Sequence, residues 1–185
     1  MKNQIIVKGC LLISEPFLKD PNFERSVVLI CDHNEQGSFG LVLNHKMSLH
    51  LDDVLEENIY PDIPLFAGGP VQPNTLHFIH NRPDVIEGGT EILEGLYWGG
   101  KFEDVKKLLN NGVLTAQDIR CFIGYSGWDS GQLAGELKQD SWIVSKNSAE
   151  FIFNTPAENF WRSILREMGG DFKVLSNYPV DPSLN

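Results

Sequence analysis

Gln132 and Glu136 lie four residues apart near the end of the run GYSGWDSGQLAGEL, Gly124 to Leu137. On a helix that spacing aligns a carboxamide and a carboxylate on one polar stripe, beside an inner face carrying Leu133 and Leu137. Such a stripe can orient a ligand. With an imidazole in the same cleft, its carboxylate could also work as half of an acid and base pair. His33, which follows Cys31-Asp32 at the end of an apolar run, is the imidazole best placed for that role. Arg25, in DPNFERS, is the candidate anion ligand, and an internal ion pair with Asp20 or Glu24 is its competing use.

Other patterns exclude chemistry. Gly-Tyr-Ser-Gly-Trp resembles a nucleophile elbow, but that motif requires glycine two positions after the serine, where this chain has Trp128. His77 and His80, three apart in a strand, point to opposite faces and do not share an ion, so no metal site is expected. Cys10, Cys31 and Cys121 form an odd set without Cys-x-x-Cys spacing, which argues against a disulfide framework and fits a reducing, cytoplasmic setting. The glycine doublets at 68, 88, 99 and 169 lack the Gly-Lys-Ser/Thr of a phosphate loop, and none opens a dinucleotide fingerprint. Fifteen Lys and Arg against 25 Asp and Glu give a net charge of −10. Direct DNA binding is therefore disfavoured, and the apolar runs fall far short of the roughly 20 residues of a membrane helix.

The elements that must position these residues read as a single domain over 1–185. Ile5 to Ile13, Val27 to Cys31 and Phe39 to Leu43 are predicted strands, the last two joined as a hairpin through Asn34-Glu35-Gln36-Gly37. Their unbroken hydrophobicity predicts a sheet covered on both faces. Further strands are expected at Thr75 to His80, Thr90 to Trp98, Ile119 to Tyr125 and Trp142 to Ser145, while Leu65-Phe66-Ala67 runs into Gly68-Gly69-Pro70. Helices are expected over Leu51 to Glu57 and Lys101 to Asn111, the latter with Glu103 paired to Lys107. A third should begin near Ser130, capped by Asp129 or Ser130 after a turn flanked by Gly124 and Gly127. Thr155-Pro156-Ala157-Glu158 reads as a capping box opening a last helix, with Ala157, Phe160, Trp161, Ile164, Leu165 and Met168 on its buried stripe and Gly169-Gly170 at its stop. Without a regular βαβ cycle, the reading is α+β with a mixed sheet and flanking helices.

DPNFERSVVLI, CDHNEQGSFGLVLN, AGGPV, GYSGWDSGQLAGEL and the tail PVDPSLN together resemble the AlgH/YqgE-like family of bacterial proteins, from Gly9 to Asn185. The resemblance implies an intertwined mixed sheet, no established enzymatic activity and no required cofactor, under a family label of transcriptional regulator. It places Asp20, Pro21, Phe23, Arg25, Ser26, His33, Gly40, Asn44, Gly69, Pro70, Gly124, Tyr125, Gly127, Trp128, Gly131, Gln132 and Glu136 at pattern positions. Relatives commonly carry Arg-Pro where this chain has His45-Lys46, and alanine at Ser126; the second departure undercuts a serine nucleophile.

The expected function is noncatalytic binding or indirect regulation, with a surface built from Arg25, His33, Asn44, Tyr125, Trp128, Gln132 and Glu136. Its partner, protein or small molecule, is not specified by these residues, and neither is an oligomeric state. The alternative is a small-molecule hydrolase using His33 and Glu136 as acid and base, which requires the two in one cleft. Replacing Gln132 or Glu136 is expected to leave stability nearly unchanged.

Overall fold

The computed structural model describes residues 5–179; the tail motif from Val180 onward lies outside them. One sheet contains β1 (Cys10–Ser14), β2 (Val27–Asn34), β3 (Gly37–Val42), β4 (Lys46–His50), β5 (Pro64–Ala67), β6 (Val71–His80), β7 (Thr90–Leu93), β8 (Leu96–Trp98), β9 (Ile119–Asp129) and β10 (Trp142–Lys146). Around it lie α1 (Leu51–Leu55), α2 (Phe102–Asn110), α3 (Gln132–Lys138), α4 (Ala149–Asn154), α5 (Phe160–Met168) and α6 (Gly170–Leu175). Strand order is β10-β1-β2-β3-β9-β6-β8-β7, with β5 also on β9 and β4 on β5. Among the described residues only β5 with β9 is parallel, so the fold is α+β with a mixed sheet.

The apolar runs serve both faces, as their lack of alternation predicts. Leu11, Ile13, Val27 and Leu29 enter one core with Phe160, Trp161, Ile164 and Leu165 of α5. Cys10, Leu12, Val28 and Ile30 enter a second with Trp128, Leu133 and Trp142. A third core joins Leu65, Phe78 and Cys121 to Leu51 of α1 and to Val105 and Leu109 of α2.

Several boundaries differ from the sequence reading for local reasons. Strand pairing starts at Cys10, not Ile5, because the chain turns at Gly9 and the Cys10 amide donates to the Val7 carbonyl (3.1 Å). Thr90 to Trp98 is a hairpin, with Leu93 paired to Leu96 around Glu94-Gly95. The β2–β3 turn is tighter than four residues, since Asn34 and Gly37 are themselves paired. β4 has too little apolar character to be read as a strand, and its residues are mostly exposed. On α2, Lys106 rather than Lys107 reaches Glu103 (3.0 Å). No capping box forms at Thr155: that residue ends α4, whose own cap is Ser148, accepting from the Phe151 amide (3.1 Å). Pro156 is extended and a single 3-10 turn at Ala157–Asn159 leads into α5, while α6 begins directly at Gly170.

The largest correction concerns Gly124 to Gly127, which is strand and not a turn. β9 continues to Asp129, with Gly127 paired to Phe39 and Trp128 to Ser38. Residues Cys121 to Ile123 carry β5 on one edge and β6 on the other. The link from β5 to β6, Gly68-Gly69-Pro70, must therefore pass across the β9 backbone. Gly68 is still on the first edge, its amide donating to the Ile123 carbonyl (2.9 Å) and its carbonyl accepting from Val42 (2.9 Å); Val71 is already paired with Tyr125 on the second. The two backbones touch at this crossing. A Cβ on Gly68 would lie 2.3 Å from the Gly124 oxygen, and one on Gly124 would lie 2.6 Å from the Gly69 oxygen. Gly124 also takes φ +69°, which disfavours a side chain independently.

The crossing separates the glycines by experiment. Gly68→Ala and Gly124→Ala should each cost about 3 kcal/mol in chemical denaturation, the upper range for forced overpacking. Gly127→Ala, whose Cβ meets side chains alone, the movable Tyr125 ring at 3.3 Å and Val71 at 3.9 Å, should change stability by less than about 1 kcal/mol. Equal costs at all three positions would contradict the crossing as the reason for the motif.

Candidate functional site

Beyond the crossing, β9 carries Trp128 and Asp129 to a corner where Gly131 starts α3. The Ser130 hydroxyl donates to the Glu35 carbonyl (2.7 Å), pinning the corner to the β2–β3 turn. Neither Asp129 nor Ser130 caps α3 through its side chain. Instead the Gln132 carboxamide folds back, its Oε1 accepting from the Asp129 amide (3.0 Å) and its Nε2 donating to Glu136 Oε1 (3.1 Å). Gln132 and Glu136 share the stripe that their spacing predicted.

Glu136 has a second task that the sequence did not announce. Its Oε2 accepts from the indole Nε1 of Trp128 (2.9 Å) and from that of Trp142 (2.7 Å). Both tryptophans are buried, so their N–H groups require an acceptor. The two rings meet edge to face at 6.1 Å; Phe23 stacks on Trp128 at 6.1 Å and meets Trp142 edge-on at 5.4 Å. One carboxylate thus fixes an aromatic wall drawn from β9, β10 and the loop before β2.

Two recesses open on either side of this wall and share Gly127, Trp128 and Gln132. The outer one, about 470 Å³, is lined by Asp32, Asn34, Ser38, Phe39 and Tyr125. Behind it Phe39 contacts Tyr125 (5.1 Å), Trp98 (4.9 Å) and His77 (5.5 Å). Burial lowers the His77 pKa, so this imidazole is neutral at pH 7 and works as one more ring of the cluster. The inner recess, about 360 Å³, is lined by Asp20, Phe23, Pro70, Glu136, Ser141 and Trp142.

The seven residues singled out from sequence fall into three places. Tyr125, Trp128, Gln132 and Glu136 come together at the recesses. Arg25 and Asn44 line a separate hollow with Trp161 and Arg162. Arg25 pairs with neither Asp20 nor Glu24: its Nη2 donates to the Tyr178 carbonyl (2.8 Å) and to that of Pro179, and its guanidinium lies 4.6 Å from the Trp161 ring centre. Burial, with Arg162 nearby, lowers its pKa. The Asn44 amide bridges backbone, accepting from Val27 (2.8 Å) and donating to the Arg25 carbonyl (2.9 Å). His33 is exposed at the hairpin end, its Nδ1 2.8 Å from the Ser38 hydroxyl, and lines neither recess.

Ser126 is fully buried and donates to the Gly68 carbonyl (3.0 Å), so it locks the crossing and offers no nucleophile. All three cysteines are buried thiols; burial raises the pKa of each, that of Cys121 to about 12. His77 and His80 point apart, and His80 is held by the Gly99 carbonyl (3.1 Å) and the Arg82 amide (3.1 Å). Among the described residues one trio has metal-ligand atoms within 4.8 Å, His50, Asp52 and Asp62 at the exposed start of α1, where His50 already meets Asp62 at 2.6 Å. Sequence reasoning missed Asp32, Phe39, His77, Trp98 and Trp142 as site neighbours, since they lie on β2, β3, β6, β8 and β10 and only the folded sheet and its packing bring them near β9.

The family profile described as AlgH-like matches residues 11–173, and the chain belongs to that family. A UPF0301 protein of Cytophaga hutchinsonii is 46% identical over 98% of this chain and 100% of its own. Another from Chlorobaculum tepidum is 41% identical over 98% and 97%. Among solved structures, a protein of Corynebacterium diphtheriae superposes with TM-score 0.80 at 22% identity, covering 96% of this chain and 95% of its own. AlgH of Pseudomonas aeruginosa superposes with TM-score 0.74 at 28% identity, covering 97% and 98%. No helix among the described residues is long and apolar enough to cross a membrane.

Glu136 and Gln132, expected to be equally dispensable for stability, should now differ. Glu136→Ala strands two buried indole donors and should cost about 3 kcal/mol, whereas Glu136→Gln keeps one acceptor oxygen and should cost about 1 kcal/mol. Gln132→Ala, on the exposed face, should stay within about 0.5 kcal/mol. Denaturant midpoints rank the three, and a neutral Glu136→Ala would remove the carboxylate from its structural role.

Proposed function

We propose that this AlgH-like chain is a noncatalytic binding protein whose working face is the Trp128 wall and its two recesses. The observation that carries the reading is the occupation of Glu136: a carboxylate accepting from two indoles and a carboxamide shapes a surface and is poorly placed to shuttle protons. The buried Ser126 and the buried, protonated thiols support the same reading, since none of these four nucleophiles lines either recess. The hydrolase alternative draws no support from the geometry, because His33 lines neither recess while Glu136 lines the inner one.

A regulatory role fits the family label as an indirect effect. With a net charge of −10 the average field opposes a phosphate backbone, so a small molecule or protein partner at the recesses is the better occupant. The three unpaired, buried cysteines suit a cytoplasmic setting.

Filling the recesses tests the proposal. Gly127→Gln projects into the outer recess and Ser141→Gln into the inner one, and neither replaced residue lies in a core. Each variant should melt within about 4 °C of wild type, the shift that roughly 1 kcal/mol produces in a chain of this size. The double variant should fail to rescue the phenotype of a deletion strain. Full rescue by a folded double variant would overturn the binding face.

A further inference from the structure

The inner recess is electrostatically one-sided. Its lining includes two carboxylates, Asp20 and Glu136, and three aromatic rings, Phe23, Trp128 and Trp142, but no Lys, Arg or His. Among the described residues neither carboxylate enters an ion pair. Glu136 accepts only from neutral donors, and Asp20 accepts through Oδ1 from the backbone and side-chain nitrogens of Asn22 (2.9 and 3.1 Å). Two negative charges beside a half-enclosed apolar wall are left without a counter-charge. Both are part-exposed, so solvent screens them until a ligand supplies the counter-charge.

We propose that the inner recess binds an organic cation, an ammonium or guanidinium group carried on an apolar body. This rests on the binding reading above and names the ligand's chemistry. Ring faces attract a cation through their quadrupoles, and the attraction grows as water is excluded. Carboxylates add the long-range component and discriminate against neutral isosteres. The rings pack on one another at 5.4 to 6.1 Å, so the cation lies against the wall they form and not between two of them. A hard metal ion is a poor fit, since it needs several oxygen ligands and the Glu136 oxygens are already engaged by three donors. Anions are repelled by both carboxylates.

The four tryptophans make the test internal to one spectrum. Nitrogen-15 indole resonances of Trp128 and Trp142 report the recess, while those of Trp98 and Trp161 serve as references. Choline and N-acetylargininamide are the probes, with 3,3-dimethylbutan-1-ol as the neutral isostere of choline. The expected result is saturable movement of the Trp128 and Trp142 signals with a cationic probe, no movement with the alcohol, and affinity weakened about threefold in Asp20→Asn. That variant keeps the Oδ1 acceptor used by Asn22. Tighter binding of choline points to a free amine as the source, and tighter binding of the arginine derivative to a side chain of a partner. Equal shifts with the alcohol, or unchanged affinity in Asp20→Asn, overturn the cation. Should a neutral or anionic compound move the same two signals where the cations do not, the cation fails and the binding face stands; rescue by the recess-filling double variant removes the binding face itself.

Discussion

One steric constraint organises this molecule: the β5–β6 link has to cross the β9 backbone with no room for a Cβ on either side. A Cβ on Gly69 would sit 2.3 Å from the Tyr125 carbonyl carbon and 2.4 Å from Ser126 Oγ, so the link carries glycine at 68 and 69 and β9 carries glycine at 124 where they pass. The crossing is what makes the sheet intertwined. It lets β9 hold β5 and β3 on one edge and β6 on the other, so one eleven-residue strand touches all three hydrophobic cores. Phe122 faces the core under α5, Cys121 the core under α1 and α2, and Trp128 the core under α3.

The candidate site follows from where β9 emerges. Having been fixed at Gly124 to Ser126, the strand projects Gly127 and Trp128 beyond the crossing, and the first side chains that can close over it come from α3, β10 and the loop carrying Phe23. Their indoles would be buried donors without partners in an apolar cluster, which costs about 1–3 kcal/mol each. Glu136 removes that cost for both, and in doing so sets the distance between the recesses. The polar stripe on α3 is thus the far end of the same constraint that placed glycines at 68 and 124.

Local signals carried much of the fold. The runs Val27 to Ile30 and Leu11 to Ile13 declared a doubly covered sheet, and the stripe Phe160, Trp161, Ile164 and Leu165 declared the face of α5, because burial pattern is written in neighbouring residues. What the sequence could not disclose was nonlocal. Gly124 and Gly127 look alike as punctuation, yet one is required by a strand more than 50 residues earlier and the other is nearly free. Arg25 has carboxylates within five residues and takes instead two carbonyls some 150 residues away. Glu136 read as an exposed helical acid because nothing in its own segment reveals Trp142. The gathering of Tyr125, Trp128, Gln132 and Glu136 was legible from one short run; the recess walls supplied by Asp20, Phe39 and Trp142 were not.

Three charges packed against aromatic rings, those of Arg120, Arg25 and Glu136, are held without an opposite charge. Arg120 is buried, donates a hydrogen bond to the Leu43 carbonyl (3.2 Å) and lies over the rings of Phe66 (5.1 Å) and Phe160 (6.0 Å). Burial lowers its pKa to about 10, which still leaves it protonated at neutral pH. Arg25 is held in the same manner, by carbonyl oxygens and the Trp161 face. On the other side of the sheet Glu136 is held by indole N–H groups. Arg120, Arg25 and Glu136 thus lean on neutral dipoles and ring faces, although Arg25 Nε and Nη1 are buried without a hydrogen-bond partner among the described residues; ion pairing there would have cost desolvation of both partners for little net gain. The consequence is that neither set neutralises the other. The aromatic face under α5 is filled by the protein's own guanidinium groups, whereas the face built by Phe23, Trp128 and Trp142 has carboxylates beside it and, among the described residues, no cation of its own, and that asymmetry is why the inner recess, and not the Arg25 hollow, is the place where a ligand's charge would complete the structure.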